Sequence, residues 1–338
     1  MKTTVSITIP CRNEEKYIKK CLSSILNSNY PNQLITIYVC DGMSEDNTRD
    51  IVKNMSKKNS NIILLDNLKK TTPFALNLGL KKSSSDIKII LGAHATVDLN
   101  FILENVKAFE KSHDIGCTGG VINNVYENET SKTIGLAMSS SFGVGNAHFR
   151  TGNKDGFVDT VAFGAYKKEV FDKIGYFDED LVRNQDDEFN FRLLKNGFKI
   201  YLSSKIHSDY YVRASFKKLF KQYYQYGYWK VFVNTKHNTV TTVRQTIPLL
   251  FVLFLSFGII SSFVHSFFLF SFLTILLLYF VLSIYFALKK TQNLRRVFLL
   301  IFVFFELHLS YGFGYLVGIF QFIFLNKKPS KNSKSMSR

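Results

Sequence analysis

The stretch Ile247–Leu288 contains no Asp, Glu, Lys or Arg. Such a run has little to offer water, and a helix needs about 20 apolar residues to cross a bilayer. It predicts two membrane-spanning helices, about 247–264 and 267–288, joined by a tight turn at Val264-His265-Ser266. Lys289, Lys290, Arg295 and Arg296 follow, which the positive-inside preference assigns to the cytoplasmic side. A third apolar segment, 297–325, is interrupted by Glu306, His308, Gly312, Gly314 and Gly318. It reads either as one tilted span or as a broken, re-entrant pair. The two alternatives put the basic residues Lys327, Lys328, Lys331, Lys334 and Arg338 on opposite sides.

The 338 residues carry a net charge of +17 and include 33 Phe. Strong basicity implies an anionic partner: a phosphate-bearing substrate, anionic lipid or nucleic acid. Just before the apolar run, Phe216–Val233 interleaves Lys with Phe, Tyr and Trp. That suits a helix in the membrane interface, with rings at headgroup depth and lysines meeting lipid phosphates. The alternative is an ordinary amphipathic surface helix. Aromatic–basic interleaving also serves nucleic acids, but the adjoining apolar segment favours membrane lipids, and no nucleic acid is expected. Val5–Pro10 is too short for the apolar core of a secretory signal, so the N-terminal half is expected in the cytoplasm. The sequons at Asn54 and Asn128 are then idle. Cys11, Cys21, Cys40 and Cys117 lack C-x-x-C spacing and are expected to be buried, reduced thiols.

Upstream, short apolar runs alternate with helical patterns. Val5–Ile9 is a strand stopped by Pro10. Glu14–Leu26 repeats apolar pairs at helical spacing. Ile35–Cys40 is a second strand ending in Asp41-Gly42, and Ser44–Thr48 supplies helix starters for a helix over 46–58. Ile62–Leu65 is a third strand, Thr72-Pro73 opens a helix reaching Lys81, and Ile87–Leu91 is a fourth strand. Asn100–Lys111 and Ile115–Val121 continue the alternation. This order predicts an α/β chain with a mostly parallel sheet and right-handed crossovers. Glu127–Gly156, rich in Gly, Ser and Asn, reads as a long functional loop. Thr160–Tyr166 is a strand, Asp186–Lys195 a helix closed by Asn196-Gly197, and Phe198–Leu202 a short strand.

In open α/β sheets, ligands bind outside the carboxyl ends of the strands. Pro10-x-Arg12-Asn13-Glu14 follows the first strand and Asp41-Gly42 the second, so together they outline a cleft for a polar ligand. Neither the Walker spacing nor G-x-G-x-x-G is present. Bound phosphates therefore need a counter-charge from a metal or from basic side chains. The fourth strand ends in Gly92-Ala93-His94-Ala95, which offers an imidazole at the same edge. Gln185-Asp186-Asp187-Glu188 opens a helix, where amide dipoles favour carboxylates. Three acids in a row exceed what capping needs. A carboxylate there can act as a general base toward a hydroxyl nucleophile.

In this order and spacing, VSITIPCRNEE, YVCDGMSEDNT, the strand ending in GAHA, QDDEFNFRLLKNG and QYYQYGYW resemble a family 2 glycosyltransferase. The likeness is in particular to membrane-associated exopolysaccharide enzymes of the succinoglycan glucosyltransferase type. His308-Leu-Ser-Tyr311-Gly-Phe-Gly is similar to a motif of that subgroup, and the resemblance covers nearly the whole chain. It implies a GT-A (Rossmann-like) fold, a nucleotide-diphosphate sugar donor, a divalent metal (Mn2+ or Mg2+) and inversion at the anomeric carbon. By motif, Pro10, Arg12, Asn13, Glu14 and Asp41 hold the nucleoside, with Asp41 accepting from the uracil edge of a UDP-sugar. Lys70, Asn77 and Ala93 line the donor site, and Gln222 and Trp229 close over the diphosphate. Tyr228 stands where an Arg usually precedes that Trp. Asp186 matches the catalytic base, with Gln185 in place of the usual preceding Glu, and Asp187 and Glu188 complete the cluster.

The metal motif of such enzymes is Asp-x-Asp or Asp-Ala-His; here it reads Gly92-Ala93-His94. Hard cations prefer oxygen ligands. Either diphosphate oxygens, His94 and one more ligand (His207 or Asp98) hold the ion, or lysines take over part of its charge and metal dependence is weak. The resulting expectation is a cytoplasmic GT-A catalytic domain (1–212), amphipathic interfacial helices (213–246), about three transmembrane segments (247–325) and a basic disordered tail (326–338). The expected activity is inverting transfer from a UDP-hexose to a lipid-linked saccharide. The setting is exopolysaccharide or cell-surface glycan synthesis at the inner (plasma) membrane, alongside polysaccharide assembly partners. One alternative is a non-catalytic nucleotide-sugar-binding subunit of an assembly complex, motivated by Gly92 and Gln185. Another is a membrane-anchored nucleotidyl or phosphosugar transferase.

Overall fold

The computed structural model describes residues 3–145, 147–152, 155–212 and 214–329. Most of the expected basic tail, 330–338, lies outside the described residues. In chain order the elements are β1 (Val5–Cys11), α1 (Ile18–Leu26), β2 (Ile35–Asp41), α2 (Thr48–Ser56), β3 (Ile62–Asp66), α3 (Thr72–Lys82), β4 (Ile87–Ile90), β5 (Ala95–Val97) and α4 (Phe101–Ala108). Next come β6 (Ile115–Val125), α5 (Glu129–Met138), α6 (Ser141–Val144), α7 (His148–Thr151), β7 (Gly156–Val158), β8 (Ala162–Lys167), α8 (Lys168–Ile174), α9 (Gln185–Lys195) and β9 (Lys199–Tyr211). The chain ends in α10 (Phe216–His237), α11 (Ile247–Ser262), α12 (Ser266–Leu288) and α13 (Leu294–Gly318). The chain forms two compact units: 1–125 with 148–211, and 126–147 with 212–338.

The first unit holds a nine-stranded sheet in the order β3-β2-β1-β4-β8-β6-β9-β5, with β7 paired to β9. The strands β3, β2, β1 and β4 are parallel. Beyond β4 the sheet is mixed: β8 is antiparallel to β4 and β6, β9 is parallel to β6, and β5 is antiparallel to β9. The parallel half follows from β1, β2 and β4, whose buried apolar runs are joined by crossover helices. Its core joins Ile7, Ile9, Ile37, Val39 and Ile89 to Ile18, Leu22 and Ile25 of α1. Helix α3 lies directly on β1 because Gly79 has no side chain; a Cβ there would stand 2.7 Å from Thr8 Oγ1. The four cysteines are buried free thiols, and burial pushes Cys21 and Cys40 up to about 12.

The mixed half departs from the mostly parallel expectation. Strand β9 runs nine residues past the expected Leu202, and β5 is an additional short strand beside it. The segment 203–211 is polar, with Ile206 its one aliphatic residue, so its strand character was masked by composition. The expected loop 127–156 contains α5, whose start is fixed by Asn128 and Ser131 in a reciprocal capping box.

Among the described residues of the second unit, three helices are long and apolar enough to cross a membrane: Val243–Ser262, Ser266–Leu288 and Leu294–Phe324. The third is continuous, passing from α13 into a π-helical stretch over Ile319–Phe324, so no re-entrant break occurs. The segment read as an interfacial helix is α10, but half of its length is buried rather than spread on a surface. Glycines explain this: small residues let helix backbones touch in membranes. A Cβ on Gly227 would meet the Tyr311 carbonyl, one on Gly314 the Tyr224 carbonyl, and one on Gly318 would lie 2.8 Å from the Tyr228 carbonyl. Asn234 Nδ2 donates to Tyr315 Oη at 2.8 Å, tying the same pair of helices. The segment 126–147 docks here too. Phe142 packs among Tyr279, Phe286, Phe304 and His308, and Lys290 Nζ donates to the Ser139 carbonyl at 2.8 Å. In Gly314→Ala the added methyl meets unyielding backbone, whereas in Gly258→Ala it meets the movable ring of Phe272. Overpacking costs about 1–3 kcal/mol; the expected result is a lower unfolding temperature in detergent for Gly314→Ala than for Gly258→Ala. Equal midpoints would refute backbone contact at Gly314.

Candidate active site

Strand β1 lies between β2 and β4, so the chain leaves it in one direction and returns on its other side. That reversal is the switch point at which open α/β sheets bind ligands. The loop after β1 turns through Asn13 (φ 54°) and the loop after β2 through Met43 (φ 58°). Lys70 (φ 59°), Phe163 (φ 48°) and Asn184 (φ 58°) share that left-handed conformation in the same unit. Non-glycine residues of this kind cluster at functional sites.

The first two loops form one structure. The Asn13 N–H donates to Ser44 Oγ at 2.8 Å, the Glu45 N–H to Asn13 Oδ1 at 2.9 Å, and the Glu14 N–H to Thr48 Oγ1 at 2.8 Å. Asn47 donates through its backbone and its Nδ2 to Glu15 Oε2 at 3.1 and 3.0 Å. Each loop's side chains satisfy the other's backbone donors, which explains why both motifs occur at these spacings. Gly42 leaves room for Arg12, whose Cδ would be 3.3 Å from a Cβ. The Arg12 Nε is buried without a hydrogen-bond partner among the described residues, and an Nη nitrogen lies 3.8 Å from Glu45.

Asp41 is wholly buried. Its carboxylate accepts from the Ser44 N–H (3.0 Å), Ser44 Oγ (2.5 Å) and Arg49 Nη1 (2.6 Å), while Arg49 Nη2 reaches Asp66 at 2.8 Å. The hydrogen bond to Asp41, then that to Asp66, pushes the Arg49 guanidinium above its ordinary value. A carboxylate has about four lone-pair sites, and Ser44 and Arg49 enclose this one. A base that reaches Asp41 has to displace one of them. Arg49 carried no sequence signal beyond being a cation in the first turn after an acidic strand end.

The three acids of α9 differ in environment. Glu188 is buried and paired twice with Arg192, at 2.6 Å to Nε and 2.9 Å to Nη2. The same guanidinium donates to the carbonyls of Ile174 and Tyr176, at 2.5 and 2.7 Å. Glu188 therefore braces α9 against the turn after α8. Asp186 is exposed and Asp187 half-buried on the first helical turn. Asp186 is felt electrostatically by Tyr166, whose hydroxyl is pushed well up by burial, then by Cys117 and Asp186.

Asn77 is buried, exchanging hydrogen bonds with the backbone of Phe177 (2.8 and 3.0 Å) and donating to Glu179 at 2.9 Å. It holds the 177–179 loop rather than lining an open cleft. Lys70 is exposed at the entrance to α3, Pro10 is half-buried at the end of β1, and Ala93 is buried after β4. Gln222 and Trp229 belong to the second unit. There Gln222 Nε2 donates to Tyr226 Oη at 2.6 Å, and the fully buried Trp229 has an indole N–H with no partner among the described residues.

His94 and His207 are not brought together. Ala95 pairs with Tyr210 and Val97 with Ser208, so His207 stands level with Asp98, about 13 Å along the strand from His94. Asp98 itself accepts from the Asn100 N–H at 2.9 Å. The neighbour His94 does have is Glu14: Glu14 Oε1 lies 3.7 Å from His94 Nδ1, and the Tyr210 ring packs edge-on at 5.1 Å. Among the described residues no group of three His, Cys, Asp or Glu could hold a metal ion. One oxygen and one nitrogen fit a cation that takes its other ligands from substrate phosphates, and do not make a self-contained cage. Sequence reasoning also missed Arg150. Its guanidinium lies 5.6 Å from the Tyr210 ring, and its Nη1 is buried without a partner among the described residues.

Residues 6–175 match the family model described as glycosyl transferase family 2. The dolichyl N-acetyl-alpha-D-glucosaminyl phosphate 3-beta-D-2,3-diacetamido-2,3-dideoxy-beta-D-glucuronosyltransferase of Methanococcus voltae is 37% identical over 231 residues, covering 66% of this chain and 71% of that protein. Succinoglycan biosynthesis protein ExoA of Rhizobium meliloti (strain 1021) is 29% identical over 251 residues, 73% of this chain and 75% of its own. Among solved structures, the mannosyltransferase PcManGT from Pyrobaculum calidifontis, in complex with GDP-Man and Mn2+, shares the fold with a TM-score of 0.54 at 17% identity. That match covers 70% of this chain and 64%, less than two thirds, of that structure. With its paired strand-edge loops at the switch point, its sheet and three helices able to span a membrane, the chain belongs to glycosyl transferase family 2.

Proposed function

We propose that the chain transfers a hexose, with inversion, from a UDP-sugar to a saccharide carried on a membrane lipid, at the cytoplasmic face of the cell membrane. The observation that carries this reading is the single wall built by the loops after β1 and β2 at the switch point. In it, Pro10, Arg12, Asn13 and Asp41 receive the nucleoside, and Lys70 and Ala93 border the donor. The uracil N–H takes the place of Arg49 on Asp41, and Arg49 keeps its hold on Asp66. Asp186 takes the proton of the acceptor hydroxyl as it attacks the anomeric carbon in line; the nucleoside diphosphate leaves. Asp187 adds negative charge beside the base. A divalent ion, when bound, supplies positive charge to that leaving group.

The lipid-linked acceptor is supported by the Methanococcus voltae relative, whose name specifies a dolichyl-phosphate sugar. It is supported too by the chain's own composition, which tethers the sugar-binding sheet to helices able to enter a bilayer. The test is a donor screen on purified membranes, with and without Mn2+ and Mg2+, reading nucleoside diphosphate release. UDP release that depends on an added lipid-linked saccharide is the expected result. Release of UMP or pyrophosphate would overturn the reading in favour of phosphosugar or nucleotidyl transfer.

A further inference from the structure

The resemblance implies a metal motif that begins with a carboxylate two residues past β4; in this chain that position is Gly92. The geometry points to Glu14 as its replacement: we infer that Glu14, from the loop after β1, and His94, from the end of β4, form a two-residue divalent cation site. The site is completed by the oxygens of the bound nucleoside diphosphate. The inference rests on the donor reading above.

Three observations carry it. First, the two residues follow the strands on either side of the switch point, Glu14 in the loop after β1 and His94 in the turn between β4 and β5. Their convergence is thus a consequence of the sheet order. Second, Glu14 Oε1 and His94 Nδ1 are 3.7 Å apart, with the carboxylate 6% and the imidazole 16% exposed. That separation is beyond a good hydrogen bond, which ends near about 3.2 Å. Two ligands of one ion, each about 2.1 Å from it, stand roughly 3–3.4 Å apart. A cation between them requires a shift of only a few tenths of an ångström. Third, the vacant position converges on the same nitrogen. A Cβ built on Gly92 would lie 3.8 Å from His94 Nδ1 and 3.5 Å from His94 Cε1, in ordinary contact. The carboxylate of an Asp at 92 and that of Glu14 would therefore serve one imidazole from two directions.

Two protein ligands are too few to hold a hard cation alone, and cations of the Mg2+ type commonly bind through one or two carboxylates plus phosphates. Metal and nucleotide should consequently bind together. The experiment uses the full chain in detergent, with Mn2+ followed by loss of its free-ion paramagnetic resonance signal and UDP or GDP as the nucleotide. Wild type is expected to bind Mn2+ tightly only when nucleotide is present. Glu14→Gln should weaken that binding by about tenfold or more, since even outer-shell changes cost about 10–100-fold. The unfolding midpoint of this variant in detergent should match that of wild type, which reports that it is folded. Gly92→Asp in the wild-type background supplies a third ligand and should allow Mn2+ to bind without nucleotide. Gly92→Asp combined with Glu14→Gln should recover nucleotide-dependent binding.

Undiminished Mn2+ binding in Glu14→Gln, or no gain from Gly92→Asp, would overturn the site and leave Glu14–His94 as an ion pair only. Nucleotide binding that is equal with and without metal in wild type would overturn it as well. Failure of wild type to bind either nucleotide under any condition would instead sink the donor reading, and the metal site with it.

Discussion

Asp186→Asn is expected to lower sugar transfer by about 10²- to 10⁴-fold while the donor still binds, the range that a positioned general base commonly contributes. Asparagine keeps the shape of the side chain and its place on the first turn of α9, but it cannot take a proton at neutral pH. The position suits the role. Asn184 enters the helix in a left-handed conformation, which throws the first turn into its observed orientation, and Asp186 stands exposed there. Glu188, two residues later, is enclosed by Arg192. The comparison variant Asp187→Asn should retain much more activity. Transfer at near wild-type rate in Asp186→Asn would remove it as the base. An equal loss of donor binding would assign it to the binding site instead.

The largest effect on folding is expected from Arg192→Met. It leaves the Glu188 carboxylate buried without its partner, a change of about 3–5 kcal/mol in comparable buried pairs. Two backbone carbonyls, of Ile174 and Tyr176, lose their donor at the same time. The double variant Glu188→Leu with Arg192→Met should recover a large part of the loss, because the stranded charge is gone. Unfolding midpoints of the three proteins in detergent provide the check. A single variant that unfolds like wild type would show that α9 is held by its apolar face alone, through Phe189 and Leu193. Activity of the single variant should fall only as its folded fraction falls.

The parallel half of the sheet was legible because strands buried on both faces leave apolar runs between helical periods. The mixed half was not, for a physical reason in each case. Strand β9 carries Ser203, Ser204, Lys205, His207 and Asp209, so its composition resembles a loop although its backbone pairs on both sides. The strand-edge motifs at Asn13, Glu14 and Asp41 could be located from strand ends. That Asp41 would be closed off by Arg49 could not, because the contact depends on how α2 is aimed. The pairing of His94 with Glu14 rather than His207 was illegible for a related reason: it depends on strand order, and β4 sits next to β1. Glu188 looked like its neighbours in the sequence, and only Arg192 one helical turn later hinted at its separate task.

The second unit is assembled from two stretches that are far apart in the chain, 126–147 and 212–338. Phe142 sits in an aromatic cage of residues from α12 and α13, His308 Nε2 lies 2.8 Å from the Phe142 carbonyl, and Arg296 Nη2 meets Glu129 at 2.7 Å. Any attempt to dissect the protein has to respect that arrangement. A fragment cut after residue 212 would carry α5 and α6 into water with the apolar face around Phe142 stripped of its cover, and it should aggregate. A soluble sugar-transfer fragment would instead need the 126–147 excursion replaced by a short linker between β6 and α7. The boundary of this enzyme in three dimensions is not a point along its chain.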